Sequence, residues 1–100
     1  MYYAFICEDV EQSQEARKTT RAAHLERLEI LQDQGRLLIA GPHPVIDSED
    51  PGESGFSGSL IVAEFDNLDQ ARAWADQDPY QAAGVYARVT IKPFKKVFPR

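Results

Sequence analysis

The chain has 100 residues, 43% of them hydrophobic and 27% charged, which suits one globular core and is too short for two. Sixteen acidic against eleven basic residues give a formal charge of -5, which opposes the phosphate neutralisation behind nucleic-acid affinity and sets nucleic acid aside as a partner. No apolar run, neither Met1 to Cys7 nor Leu60 to Ala63, approaches the roughly 20 residues of a membrane span. The N-terminus also lacks a basic segment followed by an apolar stretch, so a cytoplasmic location with no membrane contact is expected by default.

Tyr2 to Cys7 is aromatic and apolar and ends at the acidic turn Glu8-Asp9, which predicts a buried first strand. Cys7 has no second cysteine to pair with, and its place in this run makes it an inert core thiol rather than a nucleophile. From about Ser13 to Gln34 the spacing turns helical, with Thr20, His24, Leu28 and Leu31 on one stripe and Arg17 and Arg21 nearby. Gly35 stands where a left-handed residue closes a helix, and Arg36 to Ala40 forms a second strand ending at Gly41-Pro42.

Val45 to Gly58 is dense in Asp, Ser, Gly and Pro, which predicts a long loop of a kind that usually serves function. Ser59 to Phe65 resumes as a strand. Its Leu60-Ile61-Val62-Ala63 run is apolar on both faces, so it belongs at the centre of a sheet or at an interface. Asn67-x-x-Gln70 resembles a capping box for a second helix ending near Gln77, with Leu68, Ala71, Trp74 and Ala75 on its buried side. Asp78-Pro79-Tyr80 opens one further turn that Gly84 closes. Val85 to Lys92 alternates as a fourth strand, with Val85, Ala87, Val89 and Ile91 on one face and Tyr86, Arg88, Thr90 and Lys92 on the other.

The order β-α-β-β-α-β predicts an α+β, ferredoxin-like domain over residues 1–100, with a four-stranded antiparallel sheet and its helices on one face. The bare face would then expose a large apolar patch, and a second copy of the chain, as a homodimer, is expected to cover it.

Several segments together resemble the YciI-like family of small bacterial proteins. They are Arg21-x-x-His24-Leu25-x-x-Leu28, Gly35-Arg36-Leu37-Leu38, Gly41-Pro42, Gly55-Phe56-x-Gly58-Ser59, Ala75-Asp76-x-Asp78-Pro79-Tyr80 and Val89-x-Ile91-Lys92-Pro93-Phe94-Lys95. Their order and spacing run nearly end to end, although no single one is specific. The resemblance implies a ferredoxin-like fold assembled as a dimeric α/β barrel, with a pocket in which His24 and Asp78 form a His-Asp pair. A related dehydrochlorinase of chlorinated hydroxyquinol implies chemistry by proton transfer.

Read from the residues alone, a histidine on an apolar helix stripe is more often a hydrogen-bonded core residue than a catalytic one. The resemblance makes the functional reading of His24 the stronger one, since an imidazole can give and take protons at neutral pH. Asp78 has a structural reading as the cap before Pro79 and a functional one as the group orienting His24. Arg17 and Arg21 are solvated or salt-bridged by default, or an anion or phenolate clamp at a pocket mouth. Gly41-Pro42 is a tight turn or a close approach to ligand. Ser48 and Ser59 flank the long loop and could donate to a ligand, whereas His43 and Glu64 read as surface or pairing residues. His24 and His43 are not at metal-ligand spacing, and there is no phosphate loop or nucleophile elbow, so neither a metal nor a cofactor is implied.

The leading expectation is therefore a cofactor-independent lyase or isomerase of a small cyclic or phenolic molecule. In it His24 is the general acid/base, Asp78 orients it, and Arg21 or Arg17 stabilises an anionic intermediate. A non-catalytic small-molecule binding or interaction module is the alternative, and a purely structural pair is the third reading.

Overall fold

The computed structural model describes all 100 residues, Met1–Arg100. Alternation along β1, Tyr2–Asp9, sends Tyr3, Phe5 and Cys7 into the core and leaves Tyr2, Ile6 and Glu8 on the opposite side. Helix α1, Gln14–Asp33, buries Arg17, His24 and Leu31. The spacing of seven is two turns, so these three form one stripe against the sheet. Gly35, at φ +70°, follows the C-cap Gln34, and the N–H groups of Gly35 and Arg36 close the helix on the carbonyls of Gln32 and Leu31.

Strand β2, Leu37–Pro44, is followed by a short 3-10 turn at Gly52–Ser54 and by β3, Phe56–Glu64. Helix α2, Leu68–Asp76, starts at Asn67, whose side chain accepts from the Gln70 N–H as the capping box predicts. A one-turn helix α3, Pro79–Ala82, leads through Gly84 at φ +75° into β4, Tyr86–Phe94. The strands lie in the order β2-β3-β1-β4 with every neighbouring pair antiparallel. This is the ferredoxin-like βαββαβ arrangement with the helices on one face, as the sequence predicts. Its core gathers Phe5, Ile61, Ala63, Val85 and the Ala71–Ala75 face of α2. Phe5 meets Phe65 and Trp74 edge-on, at 5.7 and 5.2 Å between ring centres.

β3 is central. Its Ile61 and Ala63 are sealed under the helices, and Val62, on the other face, is only 3% exposed, which accounts for its unbroken apolar run.

Strand ends depart from expectation in ways that pairing explains. β1 runs on to Asp9, β2 reaches Pro44 instead of stopping at Gly41-Pro42, and β3 begins at Phe56 inside the predicted loop. β2 and β4 are the two edges of the sheet, where a residue without an N–H breaks no ladder. Pro42, Pro44 and Pro93 therefore sit within these strands. Gly58 is required by close approach, because a Cβ there would lie 2.1 Å from the Cys7 carbonyl oxygen. Tyr86 also differs from expectation. It is buried in the core instead of sharing the outer face with Arg88, because a register shift between Glu8 and Asp9 turns the start of β4 inward.

Candidate active site

Asp78 is placed by backbone chemistry before anything else. Pro79 fixes the first position of α3, and Asp78, the N-cap, accepts the Tyr80 N–H at Oδ1 at 2.9 Å. The same carboxylate faces His24 on α1, with Nδ1 lying 2.9 Å from Oδ1 and 3.1 Å from Oδ2. The two residues are 6% and 3% exposed, so the contact is made out of water. A carboxylate only accepts, so Nδ1 donates and the lone pair of the neutral ring falls on Nε2. Nε2 makes no hydrogen bond within the chain and is not sealed from solvent. The Tyr80 ring stacks on the imidazole, 4.0 Å between centres and 9° from parallel.

Arg27, one turn beyond His24, holds the segment that leads into Asp78. Its Nη2 donates to the Trp74 carbonyl at 2.6 Å and its guanidinium lies 4.5 Å from the centre of the indole. Burial pulls the Arg27 guanidinium below its ordinary pKa, and the nearby Asp78 carboxylate works in the opposite direction.

A second buried network begins at Asp9, the last residue of β1. Arg17 donates Nε to Asp9 Oδ2 at 2.6 Å and Nη2 to Oδ1 at 3.0 Å, and Nη2 also reaches the Ser59 hydroxyl at 3.0 Å. Ser13 donates to the same Asp9 carboxylate at 2.6 Å. Burial lowers the Arg17 pKa, but the Asp9 bond and charge outweigh it and hold the guanidinium above its usual value. Arg17 lies 5.1 Å from the centre of the Tyr80 ring and 5.9 Å from that of Phe56. The two networks therefore meet at Tyr80.

Gln14 ties the long loop to α1. Its amide donates to the Phe56 carbonyl at 2.9 Å and accepts the Phe56 N–H at 3.0 Å, imitating a strand partner. Gly55, at φ +69°, lets the loop come this close, since a Cβ there would fall 2.1 Å from the Gln14 amide carbon. Between this loop and α1 lies a cleft of about 330 Å³ walled by Arg17, Lys18, Arg21, Phe56, Tyr80 and the Gly52–Gly55 turn. His24 is not on its wall, because Tyr80 stands between. A wider groove of about 650 Å³ on the other side of Gln14 runs past Glu11, Glu15 and Glu53 and holds neither His24 nor Asp78.

Of the residues singled out from sequence, His24 meets Asp78, and Arg17 meets Ser59. Arg21 stands on the cleft wall, exposed. Gly41 and Pro42 lie exposed on β2, outside the cleft. Ser48 also lies outside it, its hydroxyl bonded to the Asp50 backbone in a local turn. His43 and Glu64 are exposed. Asp78 turns out to serve both of its readings at once, as cap and as histidine partner. Asp9, Ser13, Gln14, Phe56 and Tyr80 complete the site without being among the candidate residues of the sequence. Phe56 and Tyr80 do carry a signal, since both lie within the segments that resemble the family, and Tyr80 also stands two residues past a capping Asp. Cys7 is buried, and burial pushes its thiol up to about 12. The Tyr86 hydroxyl is buried without a hydrogen-bond partner. No three His, Cys, Asp or Glu side chains are placed to hold a metal ion, and no helix is long and apolar enough to cross a membrane.

Fold and site together define a ferredoxin-like α+β domain with a buried histidine–carboxylate pair beside a cationic cleft. Residues 1–95 match the YCII-related domain, and the chain belongs to that family. Protein YciI of Escherichia coli is 57% identical over 98 residues, spanning 98% of this chain and 100% of that protein. An uncharacterized protein of Haemophilus influenzae is 54% identical over the same span. Among solved structures, 5-chloro-2-hydroxyhydroquinone dehydrochlorinase from Burkholderia phenoliruptrix AC1100, in complex with 2,5-dihydroxybenzoquinone, superposes with a TM-score of 0.83. That likeness covers 95% of this chain and 94% of the other at 24% identity, and it is a likeness of fold.

Proposed function

We propose that this protein catalyses a cofactor-independent proton transfer, of lyase or isomerase type, on a small cyclic or phenolic molecule. The observation that carries the reading is the Asp78 carboxylate 2.9 Å from His24 Nδ1, with Nε2 left unbonded. In that geometry Nε2 takes a proton from the substrate and Asp78 supports the imidazolium that forms. The imidazolium then returns the proton to another atom of the same molecule in an isomerisation, or, in an elimination, gives it up to the group that departs with the bonding electron pair or to water. Arg21, on the cleft wall, stabilises negative charge on the intermediate. A dehydrochlorinase with the same fold supports proton-transfer chemistry on a ring.

A second reading is a non-catalytic small-molecule binding module. What favours it is Tyr80, which covers one face of His24 and keeps the imidazole off the cleft wall. Turnover of a panel of chlorinated and hydroxylated cyclic compounds separates the two. The enzyme reading expects His24→Ala, folded by circular dichroism, to lose turnover by at least a hundredfold. Wild-type rates in both His24→Ala and Asp78→Asn would end it, and saturable binding without turnover in the wild-type protein would establish the module.

The same reading includes a homodimer formed through the open sheet face, where Ile39 and Phe94 are 53% and 38% exposed beside Ile6 and Leu60. Light scattering on the eluted protein checks it, and a monomer at micromolar concentration would contradict it.

A further inference from the structure

The cleft beside Tyr80 concentrates positive charge in a chain whose formal charge is -5. Four charged side chains line it: Arg17, Lys18, Arg21 and Glu53. They do not count equally. Arg17 is neutralised by Asp9, to which it is bonded twice, so it adds an aromatic-stacking surface more than a free charge. Lys18 and Arg21 are exposed and make no ion pair within the chain, and Glu53 offsets one of them. One positive charge is left.

The walls define the rest of the occupant. Phe56 presents a half-buried ring, and Tyr80, 2% exposed and stacked on His24, backs the wall behind it; both lie within cation–π reach of the Arg17 guanidinium. At about 330 Å³ the cleft is at the small end of ligand sites, which run from about 300 to 1,000 Å³. That suits a single ring and not a nucleotide. A second negative charge would face Glu53 with no cation to answer it. Arg21 has its whole guanidinium fork unengaged, and that fork matches the two oxygens of a carboxylate.

We propose that this cleft binds a small arene carboxylate, one flat ring with one negative charge. The ring lies against Phe56 and the carboxylate lies between Arg21 and Lys18. The proposal rests on the lining of the cleft itself, from which Tyr80 separates His24, and it stands or falls independently of the proton-transfer reading.

Amide proton–nitrogen NMR spectra of the full chain, titrated with benzoate, benzamide, 4-nitrophenolate and inorganic phosphate, test it. Benzoate is expected to shift the amides of Gly52, Gly55, Phe56 and Tyr80 saturably, with a Kd at least tenfold below those of benzamide and phosphate. Arg21→Gln, an exposed substitution, should raise the benzoate Kd about tenfold with the spectrum otherwise unchanged, and Lys18→Gln provides a second, independent variant. Benzamide binding as tightly as benzoate would show that charge is not read. Phosphate binding as tightly would show that the ring is not read. Preference for 4-nitrophenolate, or no shift with any of the four, also overturns the proposal. His24→Ala should keep the benzoate Kd within twofold. A cleft that fails these tests while His24 still governs turnover sinks this inference alone; intact benzoate binding with turnover indifferent to His24 sinks the proton-transfer reading alone.

Discussion

Replacing Asp78 by alanine, serine and asparagine separates the two jobs of its carboxylate. As N-cap it accepts the Tyr80 N–H, and as partner it holds His24 Nδ1, both in the buried interior. Losing a cap costs about 1 kcal/mol, and losing a hydrogen bond to an ionised group costs about 1.5–3 kcal/mol. Asp78→Ala forfeits both, about 3 kcal/mol in all, or roughly 12–24 °C in Tm for a domain of this size. Serine caps as well as aspartate but is too short to reach the imidazole, so Asp78→Ser should cost about 2 kcal/mol. Asparagine keeps the cap and a neutral partner for His24, and about 1 kcal/mol is expected. Thermal and guanidinium unfolding followed by far-UV circular dichroism at pH 7 gives the order wild type, Asn, Ser, Ala. Imidazole nitrogen NMR adds a check on the pair itself, with the proton on Nδ1 in the wild type and on Nε2 in Asp78→Ser. Serine as damaging as alanine, or all three variants within about 0.5 kcal/mol of wild type, would refute the double role.

Asp9→Asn leaves the Arg17 guanidinium buried without its counter-charge, and a loss of about 3–5 kcal/mol is expected by denaturant unfolding; the double variant Asp9→Asn with Arg17→Met should recover part of it. Burial raises the Cys7 thiol from an ordinary 9.0 to about 12, so the folded thiol keeps a proton that the unfolded one loses. Its contribution to stability is complete below pH 9.0 and drains away as the pH climbs towards 12, at about 1.4 kcal/mol per pH unit. Burial raises Tyr80 and Tyr86 above their ordinary 10.0, which steepens the alkaline loss. The same thiol should resist a disulfide reagent at pH 8 until the protein unfolds, and labelling of the native chain within minutes would contradict its burial. Gly58→Ala drives a methyl group into the Cys7 carbonyl, and about 3 kcal/mol of destabilisation with weakened exchange protection across β1 and β3 is expected.

Local pattern carried much of this fold. The stripe of Thr20, His24, Leu28 and Leu31 puts His24 on the buried side of α1, and the run Leu60 to Ala63 puts β3 at the centre of a sheet or at an interface, the first of which the strand order shows. Asp78-Pro79 marked a helix start that the backbone confirms. What failed to show was whatever depended on register. A shift between Glu8 and Asp9 has no composition signal, yet it carries Asp9 into the interior and turns Tyr86 towards the core. Asp9 consequently reads as a turn residue, and Arg17, read as solvated or salt-bridged, is salt-bridged to it in the interior rather than at the surface. The Gln14–Phe56 clasp joins residues 42 positions apart, and a lone glutamine near a helix start announces nothing of the kind. His24 itself was legible as a position but not as an environment, because the ring that covers it comes from 56 residues away in sequence.

The prolines of the two outer strands limit how this sheet can grow. Pro42 and Pro44 lie on one rim and Pro93 on the other, and each removes a donor that an incoming strand would need. An added fifth strand would find an interrupted ladder along β2 and one cut short at Pro93 along β4, which disfavours elongation into a continuous ribbon, the usual hazard of a small open sheet. The chain can therefore keep one broad face bare of helices without inviting fibrils, and that face stays available for contacts made by side chains instead of by backbone.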